Sequence, residues 1–512
     1  MVHRLAMLSL LIFSTDLVQG SDGRKIDVRG VTVLSAAEVD AVTNRYLGSV
    51  IYAEDIAAMI NEFNKLYIAK GYINSGMTLP EQPDDGTLIL QAIEGELTQV
   101  EVANSGRLSK NHIAAVIRRE AGSPLNINEL QSAFSRLERE DVIASVKGRL
   151  EPGDQLGQST LRLDVSEADA FSASFAVNNY RSPSVGSEQA QAQLKHINLT
   201  GHGDVLSLGV NYTEGMDSGN LSYSLPVSAL NSRLSVFYST GDTVVVEAPF
   251  DAIELTSKTS STGFNVETQI IDSLTQGLSV NMGLEKKTND TGLLGLPFDF
   301  APGSVDGKSR ATVLIAGLSF QQRSRQQAVA AKVNYRQGID AMDATISNNG
   351  APDGEFSVWQ LQLSYVRLLQ RDGYDWTIRM AANSQFTNDT LQAFERYALG
   401  GHQSIRGYRE NQVLRDESWE VRAQLEIPIF QSALSGSAFT LYPFYDAGKG
   451  KNAMQEDNVR QSVGLSSVGL GLNYEFKALR VNLEWAKRLD EKSRQGNSLQ
   501  DRGIHVGVSY AI

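Results

Sequence analysis

The sequence predicts two small α+β modules followed by a sixteen-stranded antiparallel transmembrane β-barrel. Three observations carry that prediction. From about residue 170 to Ile512, apolar and polar side chains alternate in period two, as in strands with one face in an apolar medium and one in water. The links between those segments alternate between short and long. Upstream, residues 21–97 and 98–169 repeat one order of strand-like and helix-like segments.

The N-terminus sets the compartment. His3 and Arg4 precede an apolar stretch, Leu5–Phe13, and Val18-Gln19-Gly20 offers a cleavage site. A stretch that short cannot cross a bilayer core about 30 Å thick. Residues 1–20 are therefore expected to be a signal peptide, with Ser21 as the mature start. The chain has no cysteine, which excludes thiol chemistry, Cys-ligated zinc and disulfides. A net charge of −13 argues against a nucleic-acid partner. Beyond residue 20 no apolar run is long enough for a membrane helix, so a membrane crossing requires a closed barrel.

In the first module Lys25–Leu34 reads as a strand, Ala36–Leu47 as a helix and Ala53–Lys70 as a second helix. Ile56, Met59, Ile60, Phe63 and Tyr67 share one face of that second helix, and Gly71 ends it. Ile73–Leu79 and Thr87–Ala92 follow as strands. The second module runs Leu97–Asn104 as strand, a helix capped by Ser109 and ending at Glu120 before Gly122, and a helix capped by Asn126 that buries Leu130, Phe134 and Leu137. Val142–Leu150 and Thr160–Val165 close it as strands. Modules of this size depend on such a buried helix stripe.

After Asp169 the helical period disappears. Phe171, Ala173, Phe175 and Val177 alternate with polar residues. So do Trp359, Leu361, Leu363 and Tyr365, and finally Ile504, Val506, Val508, Tyr510 and Ile512. Sixteen such segments span residues 170–512. Links after even segments are short (His202-Gly203, Arg371-Asp372-Gly373, Lys477-Ala478). Those after odd segments are often long (Asn289–Lys308, Asp340–Gly354, Lys451–Gln461). Short turns on one side and long loops on the other mark a membrane barrel, and an even count returns both ends to one side. A soluble sandwich predicts no such alternation.

Between the eleventh and twelfth segments lies GGHQSIRGYRE, Gly400–Glu410, within a link expected to fold inward over residues 389–418. Gly400, Gly401 and Gly407 free the backbone on both sides of Arg406. An arginine folded into the lumen needs a carboxylate, because an unpaired buried charge is costly. Asp446, in FTLYPFYDAG, shares the phase of Thr440 and Tyr442 and is expected to face the lumen, where a guanidinium fork can meet it. Glu420 and Glu426 share the inward phase of the twelfth segment as second candidates. Spacing alone leaves a solvated surface arginine equally open.

Together the two modules, the sixteen segments, Ile405-Arg406-Gly407-Tyr408 and Phe444-Tyr445-Asp446-Ala447-Gly448 resemble the two-partner secretion transporters, the TpsB family. Gly71-Tyr72, Leu79-Pro80, Asn178-Asn179-Tyr180 and Asn198–Asp204 add to the likeness. The resemblance implies periplasmic POTRA modules, a barrel in the outer membrane of a Gram-negative bacterium and a secreted, TpsA-like exoprotein as partner. It makes Arg406-Gly407-Tyr408 the hairpin tip that gates the pore and Asp446 its partner on the barrel wall. It implies no catalytic residue, cofactor or metal. Outer-membrane lipid is the other expected partner, and a single-chain barrel is expected to be monomeric.

Two departures stand out. Family members often begin with a pore-plugging helix, whereas only Ser21–Arg24 precede the first strand, so a plug is expected to be absent. The chain ends in Ile512 rather than phenylalanine, which is expected to weaken the assembly signal. Three other readings compete. An enzyme would need a site that His112, His196, His202, His402 and His505 do not build; His196 and His202 read as flanking a solvated turn rather than as a metal pair. A passive porin needs no modules, and a barrel-assembly factor usually carries more of them.

Overall fold

The computed structural model describes residues 21–22, 25–48, 50–104, 106–227, 232–347, 350–371, 373–432, 436–453, 462–490 and 496–512. The expected signal peptide, Asp372 and residues 454–461 lie outside that set. The chain divides into two compact units, one closing with Arg139 and Ile143–Ser166, the other comprising Glu140–Val142 and Glu167–Ile512.

The first unit holds both modules. In the first, strand Lys25–Arg29 runs parallel to Thr87–Ile93, which pairs on its other side with Gly76–Thr78. Helices Ala36–Thr43 and Ala53–Ala69 complete it. Met59, Phe63 and Tyr67 from the longer helix are fully buried beside Leu90, the stripe that the helical period predicts. The Tyr67 hydroxyl donates to Glu94, which also accepts from the backbone of Thr32 and Val33. The first strand stops at Arg29 rather than Leu34 because Gly30 turns the chain at φ 74°. The first helix is capped by Ser35 with Glu38 and ends at Thr43, short of Leu47.

The second module repeats the order with strand Glu96–Asn104, helices Lys110–Glu120 and Ile127–Leu137, and strands Ile143–Pro152 and Gln158–Glu167. Asn126 caps its helix through the Asn128 N–H at 2.9 Å, whereas Ser109 makes no side-chain capping bond. The expected module division after residue 97 falls inside the strand Glu96–Asn104.

Hydrogen bonds lock the modules together. The Ile127 N–H donates to Gly71 O at 2.9 Å, Asn126 Nδ2 to Lys70 O at 3.1 Å, and the Leu125 N–H to Gly95 O at 2.7 Å. The first turn of one module's helix thus satisfies the carbonyls left open where the other's helix ends.

The second unit is a closed barrel of sixteen antiparallel strands, with the first (Phe171–Asn178) paired to the sixteenth (Ile504–Ala511). Closure leaves no sheet edge, the condition for strands in lipid. Outward residues such as Trp359, Leu363, Trp419, Trp485 and Tyr510 are exposed apolar groups. Links at residues 273–275, 324–326 and 477–478 are short, and those at 245–255, 294–307 and 387–416 are long. The link after the third strand, 213–215, breaks the alternation. Pro428, without an N–H to give, sits at the register shift between the twelfth and thirteenth strands. Ile512 exchanges two backbone hydrogen bonds with Ala173, and its side chain is exposed.

Candidate gating site

The link 387–416 leaves the eleventh strand (Tyr374–Phe386) and enters the twelfth (Glu417–Ser432). Within it Tyr397–Leu399 pairs antiparallel with Val413–Arg415, making a hairpin. Its base is closed by Arg396 on Asp416 at 3.1 Å, and Asp416 is fully buried. Gly400 and Gly401 take φ of 101° and 109°, where a Cβ on the first would lie 2.7 Å from Arg409 O. Ile405 and Tyr408 at the tip are buried against Leu399, Val463 and Leu465.

Arg406 is 3% exposed. Its Nε and Nη2 donate to the two oxygens of Asp446 at 2.7 and 2.8 Å, and its backbone N–H adds a third bond at 3.1 Å. Asp446 projects inward from the thirteenth strand (Ser437–Lys451) and is fully buried. Nη1 reaches Glu484 at 3.2 Å and Gln424 at 3.0 Å. The guanidinium carbon lies 3.6 Å from the centre of the Phe444 ring. Two carboxylates and an aromatic face together compensate a charge that has lost its water.

Glu420 and Glu426 do not share that role. Glu420 accepts from Ser404 Oγ of the hairpin and from Asn383 Nδ2 at 2.8 Å; Glu426 accepts from Arg379 Nε at 2.6 Å and Gln424 Nε2 at 2.9 Å. The register explains this, because Arg422, not either glutamate, lies opposite Asp446. Glu484 is the second carboxylate instead. It sits on the fifteenth strand (Leu479–Arg488) between outward Leu483 and Trp485, so its inward phase is as legible in the sequence as that of Asp446.

The rest of the tip is gripped through its backbone. The Gly407 N–H donates to His505 Nε2 at 3.1 Å, and Arg488 Nε donates to Gly407 O at 2.6 Å. The Tyr408 hydroxyl donates to Ser466 O at 3.0 Å. His402 stacks on Tyr180 at 3.7 Å with its Nδ1 2.7 Å from Glu484. Arg409 forms a second fork, to Asp501 at 2.7 and 2.8 Å and to Glu247 at 2.8 and 2.9 Å. Asp501 and Glu247 belong to long links, 489–503 and 245–255, whose irregular sequence gives no phase from which to read them.

His202 Nδ1 lies 3.1 Å from Thr200 O within its own turn, and no group of three metal-ligating side chains occurs among the described residues.

The profile described as haemolysin secretion/activation protein ShlB/FhaC/HecB matches residues 157–474, and that for a POTRA domain, ShlB-type, matches residues 22–95. The chain is 21% identical to the heme/hemopexin transporter protein HuxB of Haemophilus influenzae, over 94% of this chain and 87% of that one. It is 24% identical to the outer membrane transporter CdiB of Dickeya dadantii, over 90% and 82%. Among solved structures, CdiB from Escherichia coli superposes with a TM-score of 0.73 at 18% identity, covering 99% of this chain and 93% of that one. CdiB from Acinetobacter baumannii gives 0.66 at 17%, covering 97% and 90%. The chain therefore belongs to the haemolysin secretion/activation protein ShlB/FhaC/HecB family, the two-partner secretion transporters of the outer membrane, with its POTRA modules in the periplasm.

Proposed function

We propose that the POTRA modules receive one unfolded secreted exoprotein in the periplasm and that it leaves through the barrel when the hairpin tip Arg406-Gly407-Tyr408 moves. The observation that carries this reading is the buried fork of Arg406 on Asp446, a charged attachment of a loop to the inside of a barrel. A loop meant only for outer solvent gains nothing from such a pair. Gly400 and Gly401 let the tip fold back, and Glu420 holds it through Ser404.

An extended segment adds to a POTRA sheet edge through main-chain hydrogen bonds, which demand little of its side chains. Transport needs binding, release and a gate, and no catalytic residue, cofactor or metal enters the reading. One chain closes the barrel, so a monomer in outer-membrane lipid suffices.

The test compares proteins outside cells with and without this transporter. Loss of one large exoprotein, with its accumulation in the periplasm, supports the reading. Loss of many unrelated barrel proteins from the outer membrane points instead to an assembly factor.

A further inference from the structure

Charge is unevenly answered on the outward face of the barrel near its outer end. On the sixth to eighth strands, within residues 256–323, the outward cations are paired or covered. Lys258 meets Asp242 at 3.3 Å, Lys286 lies 3.8 Å from Asp343, and Asp290 stands opposite both Lys258 and Lys308. Arg310 is half-buried, its backbone bonded to Thr345 of the link that follows the ninth strand. On the thirteenth and fifteenth strands the case differs. Lys449 and Lys487 are exposed, in the outward phase of Tyr445 and Trp485, and make no side-chain hydrogen bond or ion pair among the described residues. Glu417 is the one carboxylate on the outward face of strands twelve to sixteen among the described residues, and Lys451 holds it at 3.1 Å.

The register fixes how the two free lysines stand. Lys449 lies opposite Gly464, and Lys487 opposite Val468, four residues further along the fourteenth strand (Ser462–Phe476). Four residues of strand rise and two strand spacings put their Cα atoms about 16 Å apart. Rows of opposed residues climb as strand number rises. The row from Leu479, at the periplasmic end of the fifteenth strand, passes Tyr510, Phe175 and Ala192 to Val210, near the outer end of the third (Val205–Tyr212). Two strands of that climb offset over half of the four-residue step, leaving the lysines within about 5 Å of one height. Lys449 comes twelve residues after Ser437, just beyond the roughly 9–11 that a tilted strand spends in the bilayer core. Trp419 opposite Lys449, with Tyr445 and Trp485, forms an outward aromatic belt at and below this level, the mark of a membrane interface. A hollow of about 210 Å³ opens beside Lys449, with Phe386, Trp419 and Lys451 in its walls.

We propose that Lys449 and Lys487 bind the two phosphates of an outer-leaflet glycolipid of the lipid A type, a disaccharide with a phosphate at each end. Their depth matches the phosphate layer of the leaflet. Their spacing selects a head group that holds two anions apart, whereas a phospholipid with one phosphate meets one lysine at a time. The exposed apolar surface below, with Val468, Leu470 and Leu483, takes the acyl chains. The site lies outside the barrel and stands apart from the export reading.

The test titrates the delipidated full-length transporter in detergent with diphosphoryl lipid A, counting bound lipid by native mass spectrometry. Lys449→Gln and Lys487→Gln are each expected to weaken binding about fivefold, and together about twenty-five-fold, because charges this far apart act independently. Monophosphoryl lipid A is expected to bind about fivefold more weakly than the diphosphoryl form, and phosphatidylglycerol about tenfold. Lys258→Gln, whose lysine is already paired, is expected to leave binding within about twofold. Unchanged hydrogen exchange over residues 400–410 checks that the barrel is intact in each variant. Lys449→Arg keeps the charge and is expected to keep the lipid; loss of binding there would trace the effect to packing and overturn the assignment. Full binding by the double Gln variant, or equal binding of phosphatidylglycerol and diphosphoryl lipid A, overturns the site.

Discussion

Arg406 and Asp446 are joined by three hydrogen bonds, two from the guanidinium and one from the arginine's own backbone N–H. One carboxylate therefore fixes both where the side chain points and how the tip of the hairpin is bent. Displacing the tip breaks all three bonds together, which makes the attachment all-or-none rather than gradual.

That geometry sets an order among variants. Arg406→Ala leaves Asp446 and Glu484 buried without their cation, a loss of about 3–5 kcal/mol for a buried pair with one partner removed. Asp446→Asn costs less, because Glu484 remains as a counter-charge. The double variant adds little to Arg406→Ala, since both changes remove one interaction. The loss falls on hairpin docking rather than on the barrel, so it is read as hydrogen exchange over residues 400–410. Additive losses would contradict the coupling.

The second fork responds to acid. Burial works against an ionised Asp501, but the bonds from Arg409 and Ser498 outweigh it and hold its pKa at about 2. An unfolded aspartate titrates near 3.9. A depressed folded pKa gives stabilisation that is complete above the unfolded value and is lost as pH falls through the folded one. Protection of the hairpin is therefore expected to fall between about pH 4 and pH 2 through this group. In Asp501→Asn the contribution is already absent and that part of the profile is flat. A wild-type profile indistinguishable from the variant's counts against the fork.

Between the two modules, Gly71 sits at φ +93°, and a Cβ there would meet Asn128 Nδ2 at 2.5 Å and Asn126 Oδ1 at 2.6 Å. Gly71→Ala is expected to cost about 1–2 kcal/mol from the backbone conformation alone. It also pushes away the asparagine that caps the neighbouring helix. Limited proteolysis of the full-length protein checks this, with faster cleavage between the modules expected. Unchanged cleavage would show that the modules are not locked there.

The fold was legible because a membrane barrel meets two solvents, and period two records which residue faces which. The helix stripe Met59, Phe63 and Tyr67 was legible for the same reason at period 3.6. Element ends were less so: Gly30 stopped a strand that the apolar run through Val31, Val33 and Leu34 had extended. In the site, phase tells a residue's face but not its height along the barrel. Asp446, Glu420 and Glu426 look equivalent by phase, yet the register puts Asp446 alone level with the arginine fork. Glu484 also faces inward by phase, but its height is set by the register that lines up Tyr442, Gly471 and Glu484 across three neighbouring strands. Glu247 lies in an irregular link with no period at all, and only the folded chain brings it to Arg409.

The gating role proposed for the Arg406 hairpin is open to direct measurement. Its most direct test is export of the native exoprotein by cells carrying Arg406→Ala, with the amount of barrel in the outer membrane measured alongside. Barrel at near-normal abundance with export abolished is expected, because a tip that has lost its attachment no longer returns to one closed position from which transport begins. Wild-type export at normal barrel abundance would contradict it.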